Sequence, residues 1–181
     1  PYVSRAYGYN AGFDEFDDDL YFSQHRLLAL FQRLLDIIRN KHYARAETIN
    51  ERSLAWLDSL GDGPFFLWNH YMDVHGPYEP PATYQEQFHG DRVNDRNLHR
   101  LYKRCVSDPD LVTEAEHAIL EDLYDGEIRY TDDQIAAFLD ALAERGLLED
   151  TIVIITGDHG DGFGEHGYYA HPRTLDDEVL H

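Results

Sequence analysis

Lysine is nearly missing from this chain: Lys41 and Lys103 are the only two among 15 basic residues, against 35 aspartates and glutamates, and the formal charge over 181 residues is -20. Nucleic acids and anionic bilayers carry phosphate charge of the same sign, so both are poor partners, and any anionic substrate needs locally positive groups. Cysteine is nearly missing too. Cys105 stands alone, which excludes an internal disulfide and a cysteine-built zinc site and leaves the compartment open, with the cytoplasm slightly favoured. No apolar run approaches the roughly 18 residues of a membrane-spanning helix. A glycine-rich phosphate loop with Lys and Ser/Thr is absent, as is a Gly-x-Ser-x-Gly elbow. Those absences remove two common routes to nucleotide and acyl-transfer chemistry.

The acidic residues are dispersed rather than gathered into a tail, and 43% of the chain is hydrophobic. Such a composition folds around one sizeable core, as one domain or most of one. A dispersed acidic surface almost free of lysine repels itself in dilute buffer and is screened at molar salt, where the Debye length is about 3 Å. The composition therefore points to a protein adapted to high salt. Pro1 and His181 both fall inside unfinished patterns, and the expectation is an internal piece of a longer polypeptide.

Apolar spacing of three and four residues predicts helices over 20–38, 44–60 and 113–146, the last with Gly126 as a weak point and Gly146 as its stop. Residues 7–16 read as a surface loop, and Asp17 to Asp19 suit the start of the first helix. Residues 65–71 read as a buried strand, and 151–156 is a β-branched run without alternation, as expected of a central parallel strand buried on both faces. Pro77, Pro80 and Pro81 hold the chain extended, the Arg-rich stretch 90–104 reads as a mobile excursion, and a short helix is expected over 174–180. The alternation of helix and strand predicts an α/β fold, a doubly wound, mostly parallel sheet flanked by helices.

Both apolar runs open into polar loops, and sites in open α/β sheets gather at the carboxyl ends of strands. After the second run comes Asp158-His159-Gly160-Asp161-Gly162-Phe163-Gly164-Glu165-His166-Gly167. Its four glycines permit sharp turns, and its carboxylate and imidazole donors suit a divalent cation. Asp158 and His159 are the candidate metal ligands; Asp161, Glu165 and His166 serve either as ligands or in ordering the loop. After the first run, His75-Gly76-Pro77-Tyr78 holds His75 where it can donate to an anionic oxygen or protonate a leaving group. Asp73 can orient that loop, and His70 packs. In His171-Pro172-Arg173, His171 or Arg173 faces the site or else solvent.

Taken together, Gly12-Phe13-Asp14-Glu15-Phe16, the His75-Gly76-Pro77-Tyr78 segment, Tyr124-Asp125-Gly126-Glu127-Ile128 and the Asp158-His159-Gly160 loop closed by Gly164-Glu165-His166-Gly167 resemble the sulfatase family of the alkaline phosphatase superfamily. The resemblance runs almost the full length of the chain and implies part of a single catalytic domain spanning 1–181. It implies an alkaline-phosphatase-like fold and hydrolysis of sulfate monoesters by a formylglycine hydrate beside one divalent cation, usually calcium, with manganese or zinc open. On that resemblance Asp158 and His159 match the late metal-binding pair, His75 the histidine near the scissile ester oxygen, and His171 the Lys or His that contacts the sulfate.

The chain departs from the family in having no Cys-x-Pro-x-Arg or Ser-x-Pro-x-Arg segment and none of the early metal-binding aspartates; Pro1-Tyr2-Val3-Ser4-Arg5 has the wrong spacing. The nucleophile is therefore expected upstream, and the 181 residues alone are expected to be inactive. Two alternatives share the motifs: a phosphodiesterase, phosphonate monoester hydrolase or phosphoethanolamine transferase of the same superfamily, and a binding homologue without a nucleophile. The oligomeric state stays open.

The charge reading gives a first prediction. The melting temperature should rise by several degrees as KCl goes from about 0.1 to about 2 M, because screening relieves self-repulsion. A flat or falling curve in a salt-dependent scanning calorimetry series would remove the high-salt reading.

Overall fold

A computed structural model describes residues 3–18, 44–171 and 176–180. The described chain is built from helices: α1 (Ala46–Ser59), α2 (Ala82–His89), α3 (Asp95–Ser107), α4 (Glu114–Glu144) and the single turn α5 (Asp177–Leu180). Before α5 lies a hairpin of β1 (Gly162–Phe163) and β2 (Tyr169–Ala170), antiparallel, with Gly162 opposite Ala170.

The axis of the structure is α4. Thr113 starts it with a capping box, its hydroxyl accepting from the Glu116 amide while the Glu116 carboxylate accepts from the Thr113 amide, so two of the orphan donors of the first turn are satisfied. The helix runs 31 residues, about 46 Å at 1.5 Å per residue, and the chain leaves it through Gly146 at φ 68°. Its amino-terminal half buries Leu120 and Leu123 against Leu98 and Cys105 of α3 and against Tyr78. Its carboxyl-terminal half buries Phe138 and Leu142 against Leu57 of α1. Each such side chain contributes roughly 1.5–3 kcal/mol of transfer free energy.

Between these two cores the proline-rich segment crosses α4. Gly126 is the crossing point rather than a weak point: a β-carbon there would stand 2.9 Å from Cγ of the Pro80 ring. Next to it, Glu127 is completely buried together with Asp73. Glu127 accepts the Glu79 amide at 2.8 Å and faces Arg45 Nη1 at 3.5 Å, while Asp73 lies 3.7 Å from the same nitrogen. Arg45 also donates to the Glu79 carbonyl and lies over the Tyr130 ring. One guanidinium thus serves two buried carboxylates and a carbonyl.

Several expectations are corrected. Residues 90–104 are not a mobile excursion: most of them form α3, capped by the Asn94 side chain and burying Leu98 and Cys105 to about 1% exposure. Leu98, Leu101, Tyr102 and Cys105 repeat at helical spacing, a stripe that the flanking arginines and lysine hide in a composition count. The doubly wound parallel sheet is not formed among the described residues. Residues 65–71 and 151–156 run without helix or strand pairing, and Phe66 is 74% and Ile152 90% exposed. Burial of such runs on both faces depends on neighbouring strands, and none pairs with them among the described residues, although Phe65 and Leu67 pack on one side against the Leu57, Phe138 and Leu142 core. The predicted helix over 20–38, and Arg173 with it, lies outside the described residues.

The buried cluster yields two predictions. Burial, above all, raises the carboxyl of Asp73 to about 6 and that of Glu127 to about 8, against the lowering effect of Arg45. Raised carboxyl values mean that the folded state holds protons the unfolded state releases, so their stabilising contribution is present at low pH and fades as pH rises through about 6 to 8. Glu127→Gln should therefore lose less stability than the parent between pH 5.5 and 8.5 in urea titrations; an equal loss would refute the assignment. Separately, Gly126→Ala should destabilise by about 1–3 kcal/mol through overpacking against Pro80, checked by the same titrations.

Candidate active site

The His75 loop and the Asp158 loop meet at one place, beside the β1–β2 hairpin. His75 closes the turn of residues 72–75, its amide donating to the Met72 carbonyl at 3.1 Å, and the close approach of the next stretch requires glycine, because a β-carbon at Gly76 would collide with the Tyr102 ring. The Gly76–Pro77 peptide is cis. The hairpin is held on the core by Phe163, which stacks on Tyr78 and packs against Tyr124. Glu165 orders its turn by accepting the Phe163 amide at 2.6 Å, so the structure gives this residue a loop-building role. The Gly160 amide donates to the Val179 carbonyl at 2.8 Å and ties the loop to α5.

Three imidazoles come together there. The His171 ring centroid is 4.9 Å from that of His75 and 4.2 Å from that of His159. In each ring Nδ1 is engaged: His75 with the Gly76 carbonyl at 2.7 Å, His159 with the Gly160 carbonyl at 2.9 Å, and His171 with Asp161 Oδ1 at 2.6 Å. A carbonyl only accepts, so Nδ1 carries the proton in His75 and His159, and their Nε2 atoms are left with a lone pair for a ligand or a proton.

Asp158 lies at the edge of this group, its side chain 78% exposed and its Oδ2 3.9 Å from His159 Nε2. Its Oδ1 accepts the His159 amide at 3.1 Å. Two donors on one cation at about 2.2 Å each stand no more than about 4.4 Å apart, so this pair is within reach of a single ion. His159, Asp161 and His171 also offer ligand atoms that all lie within 4.8 Å of one another. The donors are oxygen and nitrogen without sulfur, a set that fits a divalent cation such as manganese or zinc, and supplies too few oxygens for a full calcium shell.

The remaining candidates separate from this group. His166 is exposed and stacks on Tyr168. His70 packs edge-on against Trp68, and Asp73 belongs to the buried cluster with Arg45. Sequence reasoning gave no role to Tyr78, whose hydroxyl donates to Asp161 Oδ2 at 2.7 Å. The signal that could have found it is its place in the His75 motif. Ala170, just before His171, has φ 65°, the left-handed region that a β-carbon disfavours, and this strain aims the following residue. A separate surface pocket of about 450 Å³ is lined by Glu114, Glu121, Glu165 and His117. Its acidic wall is unsuited to an anion.

Clustered histidines with a flanking carboxylate, on loops pinned to a helical core, offer a donor set that a divalent cation could take. The Sulfatase family profile matches residues 2–178, and the chain belongs to the sulfatase family. An arylsulfatase of Clostridium perfringens is 30% identical over 115 residues, 59% of this chain and 24% of that protein. The uncharacterized sulfatase YidJ of Escherichia coli is 26% identical over 147 residues, 74% of this chain and 29% of its own length. The multifunctional alkaline phosphatase superfamily protein PehA of Trinickia caryophylli is 24% identical over 149 residues, 70% of this chain and 29% of its own. The chain thus spans about a quarter of the length of these relatives. No solved structure matches. The family suggests a hydrolase, is typically metal-dependent and implies an alkaline-phosphatase-like α/β fold. None of the described helices is long and apolar enough to cross a membrane.

Proposed function

We propose that this chain supplies part of the active site of a sulfuric ester hydrolase of the arylsulfatase kind. The observation that carries the proposal is the convergence of His75, His159 and His171 with Nδ1 engaged in each ring. Asp158 and His159 would hold one divalent cation, which supplies Lewis-acid stabilisation of charge on the sulfate and the attacking oxygen when bound. His75 contacts the bridging ester oxygen and delivers a proton to the leaving group, a role worth about 10²–10⁴ in rate. His171 presents Nε2 to a sulfate oxygen and, as the imidazolium, donates to it. The nucleophile, a formylglycine, comes from a segment outside these 181 residues, since no Cys-x-Pro-x-Arg or Ser-x-Pro-x-Arg occurs in them.

The test is hydrolysis by the full-length protein of 4-nitrophenyl sulfate beside 4-nitrophenyl phosphate, the phosphodiester and the phosphonate monoester. A preference for the sulfate carries the proposal; a preference for a phosphorus ester moves the chemistry to the phosphoryl-transfer branch, a second reading favoured by the similarity to PehA.

Two variants divide the roles. His75→Ala should lower kcat by about 10²-fold or more while the metal content by mass spectrometry holds. Asp158→Ala should lose both turnover and metal. Parent-like turnover in either variant removes that residue from the mechanism.

A further inference from the structure

We propose that Tyr78 and Asp161 form a positioning pair that fixes the tautomer and the orientation of His171. The Asp161 side chain is only 5% exposed and divides its two oxygens between two partners: Oδ2 accepts from the Tyr78 hydroxyl at 2.7 Å and Oδ1 meets His171 Nδ1 at 2.6 Å. Tyr78 is itself buried, with its ring packed against Tyr102, Tyr124 and Phe163. Its phenol is held far above its ordinary value, by burial first and by the Asp161 charge second, so it acts as a donor at every working pH. A donor fixed by a packed core, a carboxylate fixed by that donor and an imidazole fixed by that carboxylate make a directed chain from the interior to the surface.

The chemistry follows from the carboxylate. An ionised carboxyl only accepts, so the proton sits on His171 Nδ1, and Nε2 becomes the atom presented to a ligand. At 2.6 Å the two residues are bonded directly to each other, which makes Asp161 the orienting partner of His171 rather than a co-ligand with it of an ion placed between them. The contact of His171 with substrate rests on the sulfatase reading above. The tautomer does not.

The experiment uses ¹⁵N-histidine-labelled full-length protein at about pH 8, with His171→Asn to assign the signals. Long-range ¹H–¹⁵N spectra should show His171 protonated at Nδ1 in the parent. Asp161→Asn should move the proton to Nε2, retain the bound metal and lower kcat on a sulfate ester by about 10²-fold with KM little changed. Tyr78→Phe, which removes one hydroxyl from a packed core, should give an intermediate spectrum. A parent protonated at Nε2, an Asp161→Asn spectrum identical to the parent's, or loss of metal in Asp161→Asn overturns the inference. So does an unchanged His171 signal in Tyr78→Phe, the variant that serves if Asp161→Asn does not fold. Tautomers that behave as stated in a protein that hydrolyses no sulfate ester would support the pair and overturn the functional reading instead.

Discussion

The buried carboxylate of Glu127 is the interaction on which the rest of the arrangement depends. It accepts the Glu79 amide and faces Arg45 from the middle of α4, one residue after the glycine that lets Pro80 lie against the helix. These contacts fix the segment 73–80 on the helix axis. That fixes Tyr78 in the aromatic core, which fixes Asp161 across 83 residues of sequence, and Asp161 meets His171. The site is therefore positioned by a sequence of contacts that begins at a buried charge well inside the protein.

Burying such charge is expensive, since a carboxylate taken from water loses several kcal/mol of solvation that one partner seldom restores. Here two carboxylates, Asp73 and Glu127, share a single guanidinium, so one of them keeps its proton near neutral pH. An apolar pair would pack with less cost. What the polar cluster adds is direction: Glu127 holds the Glu79 amide and Arg45 the Glu79 carbonyl, so the polypeptide leading out of His75 is held in register on α4. The cluster specifies geometry more than it stabilises the fold.

Elements with local signals were legible in the sequence. Helix α1 was expected over 44–60 and runs Ala46–Ser59; α4 was expected over 113–146 and runs Glu114–Glu144, since periodicity, the Thr113 cap and Gly146 all act within a few residues. Helix α3 was missed because its arginines dominate the composition while its apolar stripe is only a few residues wide. The apolar runs form no sheet among the described residues for a different reason. Their composition states that they suit a sheet interior, but burial is decided by what lies alongside, which is information held in other segments. The site divided in the same way. Glycine and histidine spacing identified His75, Asp158, His159 and His171 as candidates, whereas the link between Tyr78 and Asp161 exists only once the hairpin has folded onto the aromatic core.

The proposed site accounts for how a chain with formal charge -20 would approach an anion. Repulsion from the distributed carboxylates acts over the screening length, about 8 Å at physiological ionic strength and about 3 Å at molar salt. The contacts proposed for the ester group act at hydrogen-bond distance, inside either length, so salt weakens the repulsion much more than the binding. Imidazoles suit this division better than lysines. Each of the three rings offers a directed Nε2 set by a partner on Nδ1, whereas an ammonium on a flexible stem among so many carboxylates would be drawn into surface ion pairs. A local, oriented cluster of histidines within a uniformly acidic surface is consistent with both the scarcity of lysine and the anionic substrate proposed for it.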